Sequence, residues 1–229
     1  MTRDPAILAV GALDAGGVAG TSGVRGEWAA LGIEAPGDAR AFRALFRRTD
    51  RALRRLDRAS RALVVAAEAA GLGALLPRDA RDETALVVET ARGSLESDLR
   101  FARSLAPGPP HGAIFPFTLP SASLGEVAIR HRLRGPAVCL SVDAESAGEA
   151  LREAARLLED GDARFAVAGC VEVGEPRVGL PGALRAVVAL VAPSRAGLAA
   201  VLPWRCGPQA FDELAAFAAR GERAGSGAP

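Results

Sequence analysis

Apolar residues in this chain gather in short runs that are separated by turns and amphipathic stretches. Five runs are almost entirely apolar and predict buried strands at residues 6–13, 84–89, 137–142, 164–173 and 184–192. Apolar positions at steps of three and four predict helices at residues 38–71, 94–105, 119–133, 146–158 and 211–219. Because strands alternate with helices and carry few polar positions, the pattern predicts an α/β fold whose sheet is covered on both faces.

The glycine-rich segment after the first strand predicts a loop. Its spacing is not that of a dinucleotide-binding turn and no P-loop lysine follows it, so it carries little weight as a phosphate site. The glycines are Gly16, Gly17, Gly20, Gly23 and Gly26.

The length of 229 residues suits one large domain. The predicted elements reach residue 219, and the residues that follow are small and polar. We therefore expect a single domain over residues 1–220 and a disordered tail over residues 221–229.

The charged residues argue against nucleic acid as a partner and against lysine chemistry. The formal net charge is +1, and every one of the 28 lysine-or-arginine positions is an arginine. No lysine is therefore present to act as a base or a Schiff-base amine. Arginines crowd residues 47–58, and we interpret them as a solvated face balanced by Asp50 and Asp57.

The cysteines and the apolar runs indicate a reduced compartment. Cys139, Cys170 and Cys206 are odd in number and lack paired spacing, which argues against a disulfide framework or a metal site. No stretch approaches the roughly 20 apolar residues of a membrane span, and residues 6–13 are too short for a secretory signal. We expect a cytoplasmic protein that binds no metal and no cofactor.

Four short motifs follow one another between residues 115 and 172. They are Pro116 with Gly125 and Ile129, the turn Leu133-Arg134-Gly135-Pro136, the turn Asp160-Gly161-Asp162-Ala163, and the strand residues Val167-Ala168-Gly169. In this order and ungapped spacing they resemble the N-terminal half of a β-ketoacyl synthase. The resemblance implies a thiolase-like α/β fold, truncated to about half of a full synthase, and it extends more faintly over most of the chain.

The residues that depart from the family pattern argue against catalysis. The ungapped match assigns the family's nucleophilic cysteine to Ala144, which has no group to accept an acyl chain. Cys139 lies five residues earlier, inside a predicted strand, and is interpreted as a small core residue. Neither His111 nor His131 falls in a family motif, so both are expected to be structural or surface residues.

A synthase-like chain without a nucleophile resembles the chain-length factors of type II polyketide systems. Residues 114–120 are most similar to the short subunits of aryl polyene pathways. The resemblance implies a catalytic ketosynthase as partner, and an acyl carrier protein reached through that complex. It also implies an acyl-tunnel wall at Phe115, Phe117, Thr118 and Leu119, and a dimer strand made of Val138, Cys139, Leu140, Ser141 and Val142.

Two other hypotheses stay open at this point. The chain is an acyltransferase with a displaced nucleophile at Ser141, Ser146 or Cys139, or it is a structural or regulatory homodimeric scaffold without a tunnel. No histidine is placed beside any of those nucleophiles by the sequence, and co-purification with a ketosynthase would distinguish the scaffold from the partner subunit.

Overall fold

The computed structural model describes residues 5–27, 39–106, 109–143, 146–174, 184–193 and 209–220. Ala144, Cys206 and the predicted tail at residues 221–229 lie outside these ranges. The strands are β1 Ala6–Leu13, β2 Gly17–Gly20, β3 Arg25–Glu27, β4 Thr84–Thr90, β5 Ala137–Ser141, β6 Phe165–Val173 and β7 Leu184–Ala192. The helices are α1 Ala39–Phe46, α2 Arg58–Ala70, α3 Leu72–Leu75, α4 Leu95–Ser104, α5 Ser121–His131, α6 Glu149–Glu159 and α7 Ala210–Arg220.

The seven strands form one sheet in the order β3-β2-β1-β7-β6-β4-β5. Strand β4 runs parallel to both β5 and β6, while β7 is antiparallel to its neighbours β6 and β1. The carboxyl ends of β1, β4, β5 and β6 therefore meet at one edge of the sheet, where ligand sites of α/β proteins commonly lie.

Apolar residues cover both faces of the sheet, as the sequence predicts. One buried cluster joins the sheet to α2 and α5, and includes Leu63, Leu86, Leu124 and Val167. The other joins it to α6 and α7, and includes Leu151, Leu158, Phe211 and Phe217. The alternation of side chains along each strand supplies both clusters.

Helix α2 lies unusually close to the sheet because glycine and alanine form the contact. A Cβ atom on Gly11 would come within 2.0 Å of the Ala66 carbonyl oxygen, and one on Gly20 within 2.0 Å of the Ala69 carbonyl oxygen. No side chain can be accommodated at either glycine without moving the helix. The predicted glycine loop is wrong here, because Gly17 and Gly20 bound strand β2, and Gly26 lies in strand β3.

The predicted single helix at residues 38–71 is also wrong, because the structure divides it into α1, a 3-10 turn at Ala52–Arg55, and α2. Arg47 has a left-handed backbone with φ 51°, which no α-helix continues. Asp57 has extended backbone and accepts a hydrogen bond from Ser60 N at 3.0 Å, so it caps a new helix. Asp50 forms an ion pair with Arg130 of α5 rather than with the local arginines.

Strand β5 differs from its predicted burial. The sequence predicts a buried strand, but Ala137 and Ser141 are exposed, and the three residues between them are only half-buried. The reason is position, since β5 is the last strand of the sheet and has a neighbour on one side only. No helix in the described ranges is both long and apolar enough to span a membrane.

Candidate functional site

The first part of the candidate site is the open edge of strand β5. Leu86 N donates to Pro136 O at 2.8 Å, and Val142 N donates to Thr90 O at 3.1 Å. Because peptide groups alternate in direction along a strand, Val138 and Leu140 also bond toward β4, while Ala137, Cys139 and Ser141 direct their backbone N–H and C=O groups outward. This row of groups has no partner strand within the described chain, and such an edge is a template for pairing with another chain.

The side chains of β5 divide between the two faces of the sheet. Val138 and Leu140 pack against the cluster under α6, and Cys139 packs against the cluster under α5. The structure therefore brings the five predicted interface residues together at one edge. Ser141 is the exposed member whose side chain contributes least to the core.

The predicted tunnel residues lie in a 3-10 turn, Phe115–Thr118, and the residue that follows it. Phe115 is 60% exposed and Leu119 is 62% exposed, whereas Phe117 is partly buried against the core. The Phe115 ring contacts the Phe101 ring of α4 with centroids 5.5 Å apart. The predicted four residues are therefore not equivalent, because the two that face outward are Phe115 and Leu119.

Two contacts fix this segment beside the carboxyl end of β4. Ser94 Oγ lies 2.8 Å from Thr118 O, and Pro120 packs against Gly93. Both Gly93 and Ser94 belong to the turn between β4 and α4. The Ser94 hydroxyl does not cap α4, although Ser94 is its N-cap residue; it lies within hydrogen-bond distance of Thr118 O and of Asp98 Oδ2.

The helices on either side of β5 expose different surfaces. Ile129 of α5 is 76% exposed and belongs to the same outer side as Gly125, where a Cβ atom would meet nothing within 4 Å. The outer side of α6 instead carries ion pairs, with Arg152 on Glu149 at 2.5 Å and Arg156 on Glu153 at 2.7 Å. A groove of about 290 Å³ between the end of β5 and α6 has the same polar rim.

Two carboxylates, one buried and one half-buried, lie at the carboxyl ends of neighbouring strands, and sequence reasoning missed both. Glu89 of β4 is 3% exposed, and its two oxygens accept hydrogen bonds from Gly148 N at 2.8 Å and Ala150 N at 2.7 Å. Glu172 of β6 accepts a hydrogen bond from Ala91 N. The available signal was a lone acidic residue near the end of each apolar run, in TALVVET and FAVAGCVEV.

Electrostatics do not favour a reactive thiol among the described cysteines. Burial raises the pKa of Cys139, and burial raises the pKa of Cys170 to about 12. A thiol with a raised pKa is largely protonated at neutral pH and is a poor nucleophile. Cys139, predicted to be a small core residue, packs against the core cluster but is only half-buried in the edge strand.

The two histidines lie in different environments. His131 is buried in the last turn of α5, where burial, with Arg130, Arg81 and Arg48 nearby, lowers its pKa to about 4. His111 is exposed in the segment before the Phe115 turn. Ser146, one of the alternative nucleophiles, is half-buried just before α6, and its backbone N donates to Asp143 Oδ1 at 2.7 Å.

Solved structures with the same fold include ketosynthase complexes. The ishigamide ketosynthase/chain length factor matches with 22% identity over 85% of this chain and 63% of that chain, at a TM-score of 0.64. The ketosynthase ApeO in complex with its chain length factor ApeC, from Xenorhabdus doucetiae, matches with 23% identity over 74% of this chain and 72% of that chain, at a TM-score of 0.53.

A third structure, the type II PKS acyl-carrier protein in complex with its ketosynthase (AntDE:AntF), matches with 14% identity over 85% of this chain and 64% of that chain, at a TM-score of 0.58. This chain therefore spans under two thirds of the first and third of these structures, and at such identities the likeness shows the fold alone. It is the thiolase-like ketosynthase fold that the motifs imply. No curated protein gives a significant match.

The family is shown by a match of a different kind. Residues 22–191, which are well over half of the chain, match the β-ketoacyl synthase N-terminal domain. The matched span includes the LRGP turn, strand β5, helix α6 and the GDA turn. The chain therefore belongs to the β-ketoacyl synthase family, through the N-terminal domain of that family.

Proposed function

We propose that this protein is a non-catalytic, chain-length-factor-type subunit that pairs with a catalytic ketosynthase in type II polyketide or fatty-acid-like biosynthesis. The observation that carries the proposal is the open edge of β5. Its outward backbone groups at Ala137, Cys139 and Ser141 are available to another strand, and exposed apolar residues occur on the side of α5. An aryl polyene pathway in the cytoplasm, and an acyl carrier protein reached through the complex, are further parts of the proposal.

Three features support the absence of catalysis. The ungapped match assigns Ala144 to the nucleophile position. The described thiols of Cys139 and Cys170 have raised pKa values. His131 is buried, with Nε2 making no hydrogen bond within the described structure, which suits a packed residue rather than a base directed at a substrate.

The tunnel role is proposed for Phe115 and Leu119 in particular. Both are exposed in this chain, yet each is a large apolar side chain that a partner would remove from water. The contacts of Pro120 with Gly93 and of Phe115 with Phe101 hold the segment in one shape. A rigid apolar wall limits acyl length by volume, since each added methylene must be buried or excluded.

Proline substitution at Ser141 tests the pairing. Proline removes the outward N–H of Ser141 but no hydrogen bond to β4, so S141P should leave the fold intact and abolish ketosynthase binding. Serine-to-alanine substitution at the same position, S141A, keeps the N–H and is the matched control. The measurement is sedimentation of each variant with a co-expressed catalytic ketosynthase from the same organism.

Three outcomes of that experiment differ in meaning. Loss of the complex in S141P with retention in S141A supports the proposal. A wild-type chain that forms a homodimer and ignores the ketosynthase favours the scaffold. A folded S141P variant that binds the ketosynthase as wild type does overturns pairing through β5.

Alanine substitution separates a tunnel residue from a core residue in the same turn. F115A removes an exposed ring, so the complex should stay folded and make longer products, whereas F117A should lower stability because Phe117 packs against the core. The measurement is product mass from the reconstituted complex, with melting temperature on the same samples. Unchanged product length in a stable F115A complex would contradict the tunnel role of Phe115. It would leave the proposed pairing through β5 unaffected.

A further inference from the structure

The N-terminus of α6 is capped by a residue from a distant part of the chain. The N-cap residue, Gly148, has no side chain to accept a hydrogen bond, and its backbone is left-handed with φ 94°. The carboxylate of Glu89 supplies the cap across the sheet, with one oxygen on Gly148 N and the other on Ala150 N. Both oxygens are thus engaged by the first turn of the helix.

Acyl-transfer chemistry at the N-terminus of a helix needs backbone N–H groups that are free rather than occupied. A free helix N-terminus lowers the pKa of a nearby thiol, and free backbone N–H groups stabilise the oxyanion that forms when an acyl carbonyl is attacked. In this chain the two donors are already occupied. Negative charge on Glu89 would also raise the pKa of a neighbouring thiol rather than lower it.

We propose that Glu89 closes the N-terminus of α6 to acyl-transfer chemistry, so that the chain would stay inactive even with a nucleophile restored in front of that helix. This inference deepens the proposed non-catalytic function and rests on the hydrogen bonds and burial of Glu89. The two donors are occupied when the carboxyl group is ionised, because each of its oxygens then accepts one of the two hydrogen bonds.

The groups around Glu89 include further carboxylates, which disfavour a thiolate near the N-terminus of α6. On β6, Cys170 is its register partner and Glu172 lies two residues further along the same face, while Glu149 lies in the first turn of α6. Leu140 is the β5 neighbour and adds no charge. Burial raises the pKa of Glu89, while the hydrogen bonds from Ala150 and Gly148 oppose that rise.

A cysteine introduced at Ser146 reports on this helix terminus directly. Ser146 lies two residues before Gly148 and is one of the alternative nucleophile positions. The experiment measures the rate of iodoacetamide alkylation of S146C against pH, with the modified cysteine identified by peptide mass. The thiol should titrate at or above about 8.5, the ordinary value for cysteine.

Removing the charge of Glu89 should then activate the thiol. In S146C/E89Q the pKa should fall by about one unit, which raises the thiolate fraction at pH 7 about eightfold and the alkylation rate at least about threefold. The matched control is S146C/E149Q, because Glu149 is an exposed acid in the same helical turn whose pKa its hydrogen bond from Arg152 lowers. This control should change the rate by less than about twofold.

Two results would contradict the proposal. A thiol in S146C that titrates well below 8.5 overturns the proposal, as does an equal response to E89Q and E149Q. If circular dichroism shows that E89Q does not fold, the pH profile of S146C alone still decides. The alkylation measurement uses the isolated chain. A chain that fails to bind a ketosynthase would therefore contradict the proposed function, while the alkylation rates would still test the role of Glu89.

Discussion

Helices α5 and α6 lie on opposite faces of the sheet beside the same edge strand, and each has 11 residues. Their inner sides are alike, since both are buried against the sheet. Their outer sides differ, because α6 presents arginine–carboxylate pairs whereas α5 presents Ile129 and follows the exposed Phe115 and Leu119. Charged pairs of this kind are stable in water without a partner, while large exposed apolar groups mark interaction surfaces. We therefore expect α5, rather than α6, to face the proposed partner.

The largest effect is expected on the inner side of α6. Leu151 is fully buried, so L151A should lower the free energy of unfolding by about 2–5 kcal/mol through lost burial and a cavity. R152A, at the next residue but on the exposed side, should have a much smaller effect. Urea denaturation of both variants checks this, and similar losses in the two would contradict the assignment of inner and outer sides.

The second prediction concerns a buried histidine on the inner side of α5. The folded-state pKa of His131 is about 4, below the ordinary 6.5, so the unfolded state takes up the proton first as pH falls. Stability should therefore be lost between about pH 6.5 and pH 4, by about 3 kcal/mol in total. The H131Q variant should lose this part of the pH dependence, whatever its stability at neutral pH.

Equilibrium unfolding at several pH values between 4 and 7 measures that difference. The comparison uses the change in unfolding free energy with pH rather than its absolute value, because H131Q also alters packing. If wild type and H131Q show parallel curves over this window, another group is responsible for the acid sensitivity.

A charge on the outer side of α5 gives the third prediction. Ile129 is largely exposed, so I129E should leave the stability of the isolated chain nearly unchanged. In the complex it would bury an unpaired carboxylate, which should weaken ketosynthase binding about tenfold to a hundredfold. Reversing a charge on α6, as in R156E, is the control and should leave the affinity unchanged. A loss of binding in R156E with none in I129E would reverse the comparison between the two helices.

The central strands and the later helices were predictable because their signals are local. Continuous apolar runs predicted β1, β4, β6 and β7, and steps of three and four residues predicted α6 and α7 within a few residues. Strands β2 and β3 were missed because they are short and rich in glycine, which leaves no periodicity to detect.

Position within the sheet was not predictable from hydrophobicity. The run AVCLSV is as apolar as the central strands, yet it forms the edge, since strand order depends on long-range pairing. The direction of each peptide group likewise needed the register, which shows that Ser141 rather than Leu140 faces outward. The capping of α6 by Glu89 joins residues 59 positions apart, and no local pattern predicts such a bond.

The open edge of β5 also constrains how the cell must supply this protein. The five-residue strand contains no proline, lysine or other charged residue that would discourage a second strand from adding to it. Copies made in excess of the proposed partner would therefore have an edge that no described strand covers, and we expect them to associate with one another or with other chains. Under the proposed function, we therefore expect balanced synthesis of the two subunits, so that each copy of this edge strand meets its partner.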